Sequence, residues 1–314
     1  MNIIVLLKKM HEMGTLSSGQ LSVLTDVHLN KRYSVHWELR TAIYIGVLLV
    51  ATGMALTIRQ YFAQLGDIAI IGSLTTGVLA AFTYCFLKGK PYSNEAVESP
   101  GIMFDYVLLF GCTCYATDIG YIETQFSVLG NLWIHYLLVS TGLFFFLAYR
   151  FDNRLVLSMA LSTLAAWFGF QLSEVFISFH KYYRESAITY GFVSLALGIT
   201  LYRLVVKKHF FDIYLNFAIH FLMVALLSGL IEYKLASWYF PAMTISTIAL
   251  VIYSLRSRRF LYMLYAILYS FAGMSALAFD FIKGTAGLYL YGIFSSLAVI
   301  LLIFILSRRY KEVT

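Results

Sequence analysis

Two pairs of polar residues with the same spacing interrupt long apolar stretches of the sequence. Asn131 precedes His135 by four residues and Asn216 precedes His220 by four, so each pair shares one face of a helix. An imidazole titrates near neutral pH, and an ionisable group inside a membrane is a functional candidate because it is costly to bury. Two histidines at different depths of a bilayer predict a relay for protons or cations. The alternative is that each pair only holds neighbouring helices together through hydrogen bonds.

Five acidic residues form a second group of candidates. Asp105 lies about one turn inside an apolar segment and joins the intramembrane polar site predicted above. The predicted outer ends of apolar segments carry the other four, which are Asp118, Glu174, Glu232 and Asp280. These four predict an outward-facing acidic vestibule that binds a cation or a basic headgroup. Alternatively, they mark the membrane interface or pair with basic neighbours, namely Lys181, Arg184, Lys234 and Lys283.

Motifs of known catalytic and metal sites are missing from the sequence. There is no Walker A loop, no dinucleotide-binding glycine pattern, no H-E-x-x-H and no G-x-S-x-G. The three cysteines lie inside apolar stretches, where such residues usually serve as small apolar fillers. We therefore expect no metal site and no cofactor. The missing motifs argue against an enzyme, which would have to be wholly intramembrane, without deciding the question.

The elements that must position these groups are apolar segments. Hydrophobic residues make up 60% of the 314-residue chain and charged residues only 12%, and the mean hydropathy is +0.77. A helix that crosses a bilayer needs about 20 residues, and its backbone must satisfy its own hydrogen bonds. Ten apolar segments of suitable length lie near 41–58, 68–87, 102–121, 128–149, 154–172, 187–206, 211–231, 235–254, 259–280 and 285–307. The predicted fold is an all-α polytopic transmembrane helical bundle of about ten spans over residues 38–314.

Basic residues predict the orientation of this bundle. With residues 1–37 inside the cell, only five of the 23 lysines and arginines fall on the outer side. Those five are Arg59, Lys181, Arg184, Lys234 and Lys283. Positive charge concentrates on the cytoplasmic loops of membrane proteins, so we expect both termini to be cytoplasmic. The same rule explains the net charge of +7, and we expect no nucleic-acid binding.

The residues before the first apolar segment have a different pattern. Apolar residues recur at helical spacing in two short stretches, 3–13 and 18–29. Gly14 can end the first stretch, and Ser17 or Ser18 can cap the second. We expect residues 1–37 to form a two-helix hairpin on the cytoplasmic surface, where it could dock a cytoplasmic protein.

The hairpin and the first span resemble a known family. From Gly14 the hairpin reads Gly-Thr-Leu-Ser-Ser-Gly-Gln-Leu-x-x-Leu, and the first span ends near Gly53, shortly before Gln60 and Tyr61. This arrangement is similar to a family of bacterial predicted membrane proteins of unknown function, which pairs an N-terminal helical hairpin with many spans. The resemblance covers about the first 90 residues. It implies a location in the bacterial inner membrane and no particular activity.

Parts of the sequence resemble one another. The segment 131–139 parallels 216–224, and the segment 159–165 parallels 243–249, with shared Asn, His, Ser and Thr positions. A repeated unit of three spans accounts for both matches. Repeats with an odd number of spans alternate in orientation, which is the inverted-repeat architecture of many secondary transporters. The alternative is that helices rich in Leu, Ile and Phe align by chance.

These observations predict an integral membrane protein, and the first functional hypothesis is a secondary transporter or lipid-handling protein for a small solute. Its expected partners are membrane lipids and a small solute or a proton. The competing hypothesis is a non-catalytic membrane scaffold, or assembly partner, that docks cytoplasmic proteins through the hairpin. A continuous polar cavity that reaches the middle of the membrane would favour transport, whereas a sealed bundle would favour the scaffold.

Overall fold

The computed structural model describes residues 66–128, 130–175, 183–235, 237–282 and 284–313, together with short stretches between residues 10 and 53. This described part of the chain is helical and contains no β-strand, so the predicted all-α class is confirmed there. Its nine long helices are α1 Asp67–Lys88, α2 Ile102–Phe126, α3 Trp133–Phe151, α4 Arg154–Val175, α5 Tyr183–Arg203, α6 Phe211–Tyr233, α7 Tyr239–Ser257, α8 Phe260–Phe281 and α9 Thr285–Val313.

Seven of the described helices are long and apolar enough to cross a membrane, which indicates a multi-pass membrane protein. They are α1, α2, α3, α6, α7, α8 and α9. The apolar part of α4 is shorter, at Arg154–Phe170, and α5 falls outside this group. Nine of the ten predicted segments coincide with a helix, whereas most of the first segment, 41–58, lies outside the described residues.

The structure divides into two compact units, which we call unit 1 and unit 2. Unit 1 comprises residues 1–87 and 102–122, and unit 2 comprises residues 88–101 and 123–314. Within unit 1, α1 and α2 approach closely at Gly111, where an added Cβ atom would lie 2.9 Å from the Cβ atom of Ala81. Only a residue without a side chain allows this contact, so Gly111 sets the spacing of the two helices.

One apolar cluster of unit 2 lies among α6, α7 and α8. The stripe on α6 has the spacing of a helix face that is turned toward a core, and it consists of Leu215, Ile219, Met223, Leu226 and Leu230. The other two helices contribute Tyr239, Met243, Leu250, Tyr262, Ala266 and Leu277. At Gly229, an added Cβ atom would lie 2.3 Å from Cδ1 of Tyr239, so the absence of a side chain on α6 lets α7 pack against it.

A two-residue turn joins α3 to α4. Asp152 adopts the left-handed conformation, with φ 55°, and its N–H donates to the carbonyl of Ala148 at the end of α3. Asn153 then starts α4, because its side-chain oxygen accepts hydrogen bonds from the N–H groups of Leu155 and Val156. The result is a tight antiparallel pair that holds Asp152 in a fixed place.

Unit 2 has two polar ends. At one end the α3–α4 turn, the segment 204–210 and the α7–α8 turn meet, and ion pairs join Asp152 to Lys207 and Asp212 to Arg259. We call this the basic end. The opposite end is formed by the start of α5 and the ends of α6 and α8, and its ion pairs are Arg184–Glu232 and Lys234–Asp280.

Little of the predicted hairpin lies within the described residues. Residues 10–12 form a helical turn. Ser17 and Gln20 cap each other, since Ser17 Oγ accepts the N–H of Gln20 and Gln20 Oε1 accepts the N–H of Ser17. Ser17 is one of the two capping positions that the sequence offered. The hairpin as a whole and its boundary at residue 37 stay predictions, because the remaining residues lie outside the described part.

A candidate polar seam between two helices

One face of α6 carries a stripe of polar residues. Asp212, Asn216 and His220 follow one another at intervals of four residues, so they lie along the same side of the helix. Three tyrosines of α8 contact this stripe. We call the whole set the polar seam, and its six members are Asp212, Asn216, His220, Tyr262, Tyr265 and Tyr269.

The polar seam begins at the basic end of unit 2. The carboxylate of Asp212 pairs with the guanidinium of Arg259. The hydroxyl of Tyr262 lies 3.4 Å from an oxygen of the same carboxylate. The side chains of Asp212 and Arg259 are 40% and 51% exposed, so solvent reaches the first carboxylate of the polar seam directly.

His220 lies deeper along α6. Its Nδ1 atom is 2.9 Å from the hydroxyl of Tyr269, and its ring packs edge-on against Tyr265 with ring centroids 4.6 Å apart. The helix begins at Phe211, so at 1.5 Å per residue His220 lies about 14 Å from its start. A half-buried imidazole side chain therefore lies near the middle of a candidate membrane span.

Asn216 lies between these two sets of contacts, one helical turn from Asp212 and one from His220. Its side-chain oxygen Oδ1 is buried and has no hydrogen-bond donor among the described residues. A buried carbonyl oxygen without a donor costs about 1–3 kcal/mol, so this oxygen adds no stability to the contact between the helices. It is a hydrogen-bond acceptor halfway between a carboxylate and an imidazole.

The polar seam contains side chains that exchange protons and side chains that form hydrogen bonds. Carboxylate and imidazole groups exchange protons with water, and phenol hydroxyls both donate and accept hydrogen bonds. The seam runs from solvent to the interior of the bundle on two parallel helices. No group of three histidine, cysteine or acidic side chains that could hold a metal occurs in the described part of the chain.

The second predicted histidine has different surroundings. His135 is exposed and lies in the first turn of α3, which begins at Trp133. Asn131 belongs to the short 3-10 turn before this helix, and its side chain lies outside the described residues. The structure therefore brings His220, and not His135, into contact with the tyrosines of α8.

The predicted acidic residues fall into three groups. Asp105 and Asp118 are buried on α2, and Thr75 of α1 donates a hydrogen bond of 2.7 Å to Oδ2 of Asp118. Glu232 and Asp280 lie at the opposite end of unit 2 and pair with Arg184 and Lys234, as the alternative interpretation expected. The side chain of Glu174 lies outside the described residues.

A buried ion pair at the basic end was not predicted from the sequence. Lys207 Nζ lies 3.0 Å from Oδ2 of Asp152, and the two side chains are only 1% and 4% exposed. His209 Nε2 lies 2.5 Å from the other carboxylate oxygen. We call Asp152, Lys207 and His209 the buried knot. Lys207 stands beside Lys208 in a basic cluster, which in the sequence is typical of a loop at the membrane surface.

The loop 88–101 packs over the buried knot. The N–H of Val97 donates a hydrogen bond of 2.5 Å to Oδ2 of Asp152. Lys207 Nζ donates a hydrogen bond of 3.1 Å to the carbonyl of Glu95. Lys207 thus binds both the side chain of Asp152, in the α3–α4 turn, and the backbone carbonyl of Glu95, in the loop 88–101, and it links the turn to the loop.

The carboxyl of Asp152 is held in its ionised form. Burial by itself raises the pKa of Asp152, but the hydrogen bonds from Val97, Lys207 and His209 outweigh burial and leave this pKa below its usual value. A buried anion with three donors is stable only while these donors stay in place. The buried knot therefore stabilises the fold at the basic end.

No protein-family model, no curated protein and no solved structure matches this chain. The features of the structure that bear on function are the polar seam and the ionic groups at the two ends of unit 2. Among these, the polar seam is the arrangement that extends from solvent to the middle of a candidate span.

Proposed function

We propose that the protein is a secondary transporter for a small solute and that protons reach His220 through the polar seam. The seam joins a solvent-exposed carboxylate, at Asp212, to an imidazole near the middle of a span. The proposal rests on the contact between the His220 imidazole and the hydroxyl of Tyr269 near the middle of the span, and on the polar side chains that follow one face of α6 from there to Asp212. An intramembrane imidazole that gains and loses a proton can couple a proton gradient to solute movement.

We also propose that the bundle has ten spans and lies in a bacterial inner membrane with its basic end in the cytoplasm. The helices α4 and α5 have 22 and 21 residues, which corresponds to about 32 Å and matches the apolar layer of a bilayer. With the seven apolar helices and the predicted segment 41–58, they give ten spans. Since basic loops stay in the cytoplasm, the polar seam then opens to the cytoplasm.

Inverted three-span repeats fit this arrangement. In unit 2, α3 runs toward the basic end, where Asp152 follows it, and α6 runs away from the basic end. The matching segments 131–139 and 216–224 therefore belong to helices of opposite direction, as inverted repeats require. Such repeats are the usual framework on which secondary transporters alternate between two accessible states.

Reporter fusions test the orientation. We expect a cytoplasmic reporter at Thr314 to be active, and an alkaline phosphatase fused after Tyr183 to be active as well, because Tyr183 begins α5 at the end opposite to the basic loops. Phosphatase activity at Thr314, or its absence after Tyr183, would contradict the proposed topology.

Transport is tested with the purified protein in proteoliposomes that contain a pH-sensitive dye. Small solutes of different charge, namely amino acids, monocarboxylates, dicarboxylates, sugars and amines, are added outside under an imposed pH gradient. We expect at least one of them to cause proton movement that protein-free liposomes do not show. A folded protein that moves protons with none of these solutes, but binds a cytoplasmic protein through residues 1–37, would be a scaffold instead.

A further inference from the structure

Arg184 is a buried cation at the opposite end of unit 2. It is the second residue of α5, and its guanidinium pairs with the carboxylate of Glu232 at the end of α6. The two partners differ strongly in exposure, since the side chain of Arg184 is 5% exposed and that of Glu232 is 54% exposed. An ion pair with one fixed, buried partner and one solvated partner is suited to exchange, because the exposed carboxylate can return to water at little cost.

Several contacts hold the guanidinium of Arg184 in one orientation. Its Nε donates a hydrogen bond of 3.2 Å to Ser228 Oγ, which is also 2.7 Å from the hydroxyl of Tyr183. The guanidinium carbon lies 4.8 Å from the ring centre of Tyr183 and 5.2 Å from that of Tyr233. Cation–π contacts of this kind stabilise a charge that is removed from water. The planar N–H fork is thereby presented toward the position that Glu232 occupies.

The charge around this position favours one chemical class of ligand. A guanidinium fork binds carboxylates through two parallel hydrogen bonds, which a lysine cannot reproduce. Exchange of the Glu232 carboxylate for a carboxylate from solution leaves the charge next to Arg184 unchanged. A phosphate dianion would add a second negative charge next to Arg184, at an end where the first turn of α5 already carries Glu185.

We infer that Arg184 is the binding site for a small solute with a single carboxylate group, and that Glu232 occupies this site when no solute is bound. This inference rests on the proposed transport function and names its substrate class. One carboxylate moved together with one proton carries no net charge. The Arg184 site would bind the monocarboxylate and the polar seam would supply the proton, so uptake or export would be electroneutral.

Binding of butyrate to the purified full-length protein in detergent tests this inference. Trp238 reports on the site, because its ring stacks on Tyr239 at 4.2 Å and Tyr239 stacks on Tyr233 at 5.7 Å. We expect butyrate to change the fluorescence of the wild-type protein, and the change to disappear in Trp238→Phe while calorimetry still detects binding. Inorganic phosphate, tested in the same way, is expected to bind at least tenfold more weakly.

Substitutions of Arg184 and of Glu232 should change the affinity for butyrate in opposite directions. Glu232→Gln removes the internal competitor, so we expect butyrate to bind about tenfold more tightly than to the wild type. Arg184→Lys removes the fork, so we expect binding at least tenfold weaker. The matched control is Asp280→Asn, which removes an acidic residue at the same end of unit 2 from an ion pair whose partners are both 45% exposed, and it should leave the affinity unchanged.

Three results would overturn the inference. The first is a Glu232→Gln protein that binds butyrate no more tightly than the wild type, and this variant alone decides the matter if Arg184→Lys does not fold. The second is an equal gain in Asp280→Asn, which would indicate general charge repulsion. The third is phosphate bound as tightly as butyrate. Because these measurements need neither a membrane nor a pH gradient, their failure would leave proton coupling through His220 to be judged by transport alone.

Discussion

Lys207→Met is expected to lower the free energy of unfolding by about 3–5 kcal/mol, because it leaves the carboxylate of Asp152 buried without its lysine partner. The measurement is thermal or denaturant unfolding of the purified protein, followed by circular dichroism. The matched control is Lys208→Met, the same substitution at the next residue, which is exposed. We expect this control to change stability by no more than about 0.5 kcal/mol.

Acid should weaken the ion pair between Asp152 and Lys207 in the wild-type protein. Because the pKa of Asp152 is lower in the folded than in the unfolded chain, its stabilising effect is present above the pKa of an unfolded aspartate and is lost as the pH falls through the lower, folded pKa. A double variant, Asp152→Asn with Lys207→Met, removes both buried charges and should recover part of the loss. Equal stability of Lys207→Met and Lys208→Met would show that the buried knot contributes nothing.

His220→Gln is expected to abolish the dependence of transport on the pH gradient without unfolding the protein. Glutamine keeps a hydrogen bond to Tyr269 but cannot titrate, so it removes only the proton exchange. The matched control is His135→Gln, the same substitution in the repeated Asn-x-x-Ile-His sequence, where the histidine is exposed. This control should keep wild-type coupling. Solute uptake into proteoliposomes, measured with and without the gradient, gives the result.

A purely structural role for His220 makes a different prediction. In that case His220→Gln should transport like the wild type, and His220→Leu should cost about 0.6–2 kcal/mol of bundle stability because the contact with Tyr269 is lost. That pair of results would remove the proton path from the proposal. Loss of coupling in both His220→Gln and His135→Gln would also contradict it, since the structure gives only His220 a place in the polar seam.

The helices were predictable from the sequence because the physics of a bilayer acts on each segment separately. An apolar run of sufficient length must form a helix whatever its neighbours are, and nine of the ten predicted segments coincide with a described helix. Spacing also identified Asn216 and His220 as members of one helix face. It could not identify the facing side chains, because Tyr269 is 49 residues away from His220 and the choice of neighbouring helix depends on tertiary packing.

Local sequence patterns could not predict the buried knot. Lys207 binds the carbonyl of Glu95, which is 112 residues earlier in the chain, so no pattern near Lys207 reveals that its charge is buried. Its place in a basic cluster indicates only on which side of the membrane the segment lies. The two histidines give the converse example. They share the pattern Asn-x-x-Ile-His but lie in different surroundings, because α3 begins two residues before His135 and α6 begins nine residues before His220.

The long helix α9 buries none of its side chains between Thr285 and Arg308, and it makes hydrogen bonds to the rest of unit 2 through a tyrosine near each end. The hydroxyl of Tyr291 lies 3.1 Å from Ser275 Oγ, and that of Tyr310 lies 2.9 Å from Ser254 Oγ. These tyrosines are about 28 Å apart along the helix, close to the thickness of the hydrocarbon layer of a bilayer. Tyrosine hydroxyls favour the membrane–water boundary. The distance between the two tyrosines thus matches the distance between the two membrane–water boundaries, and we expect a much thinner membrane to strain the hydrogen bond at one of them.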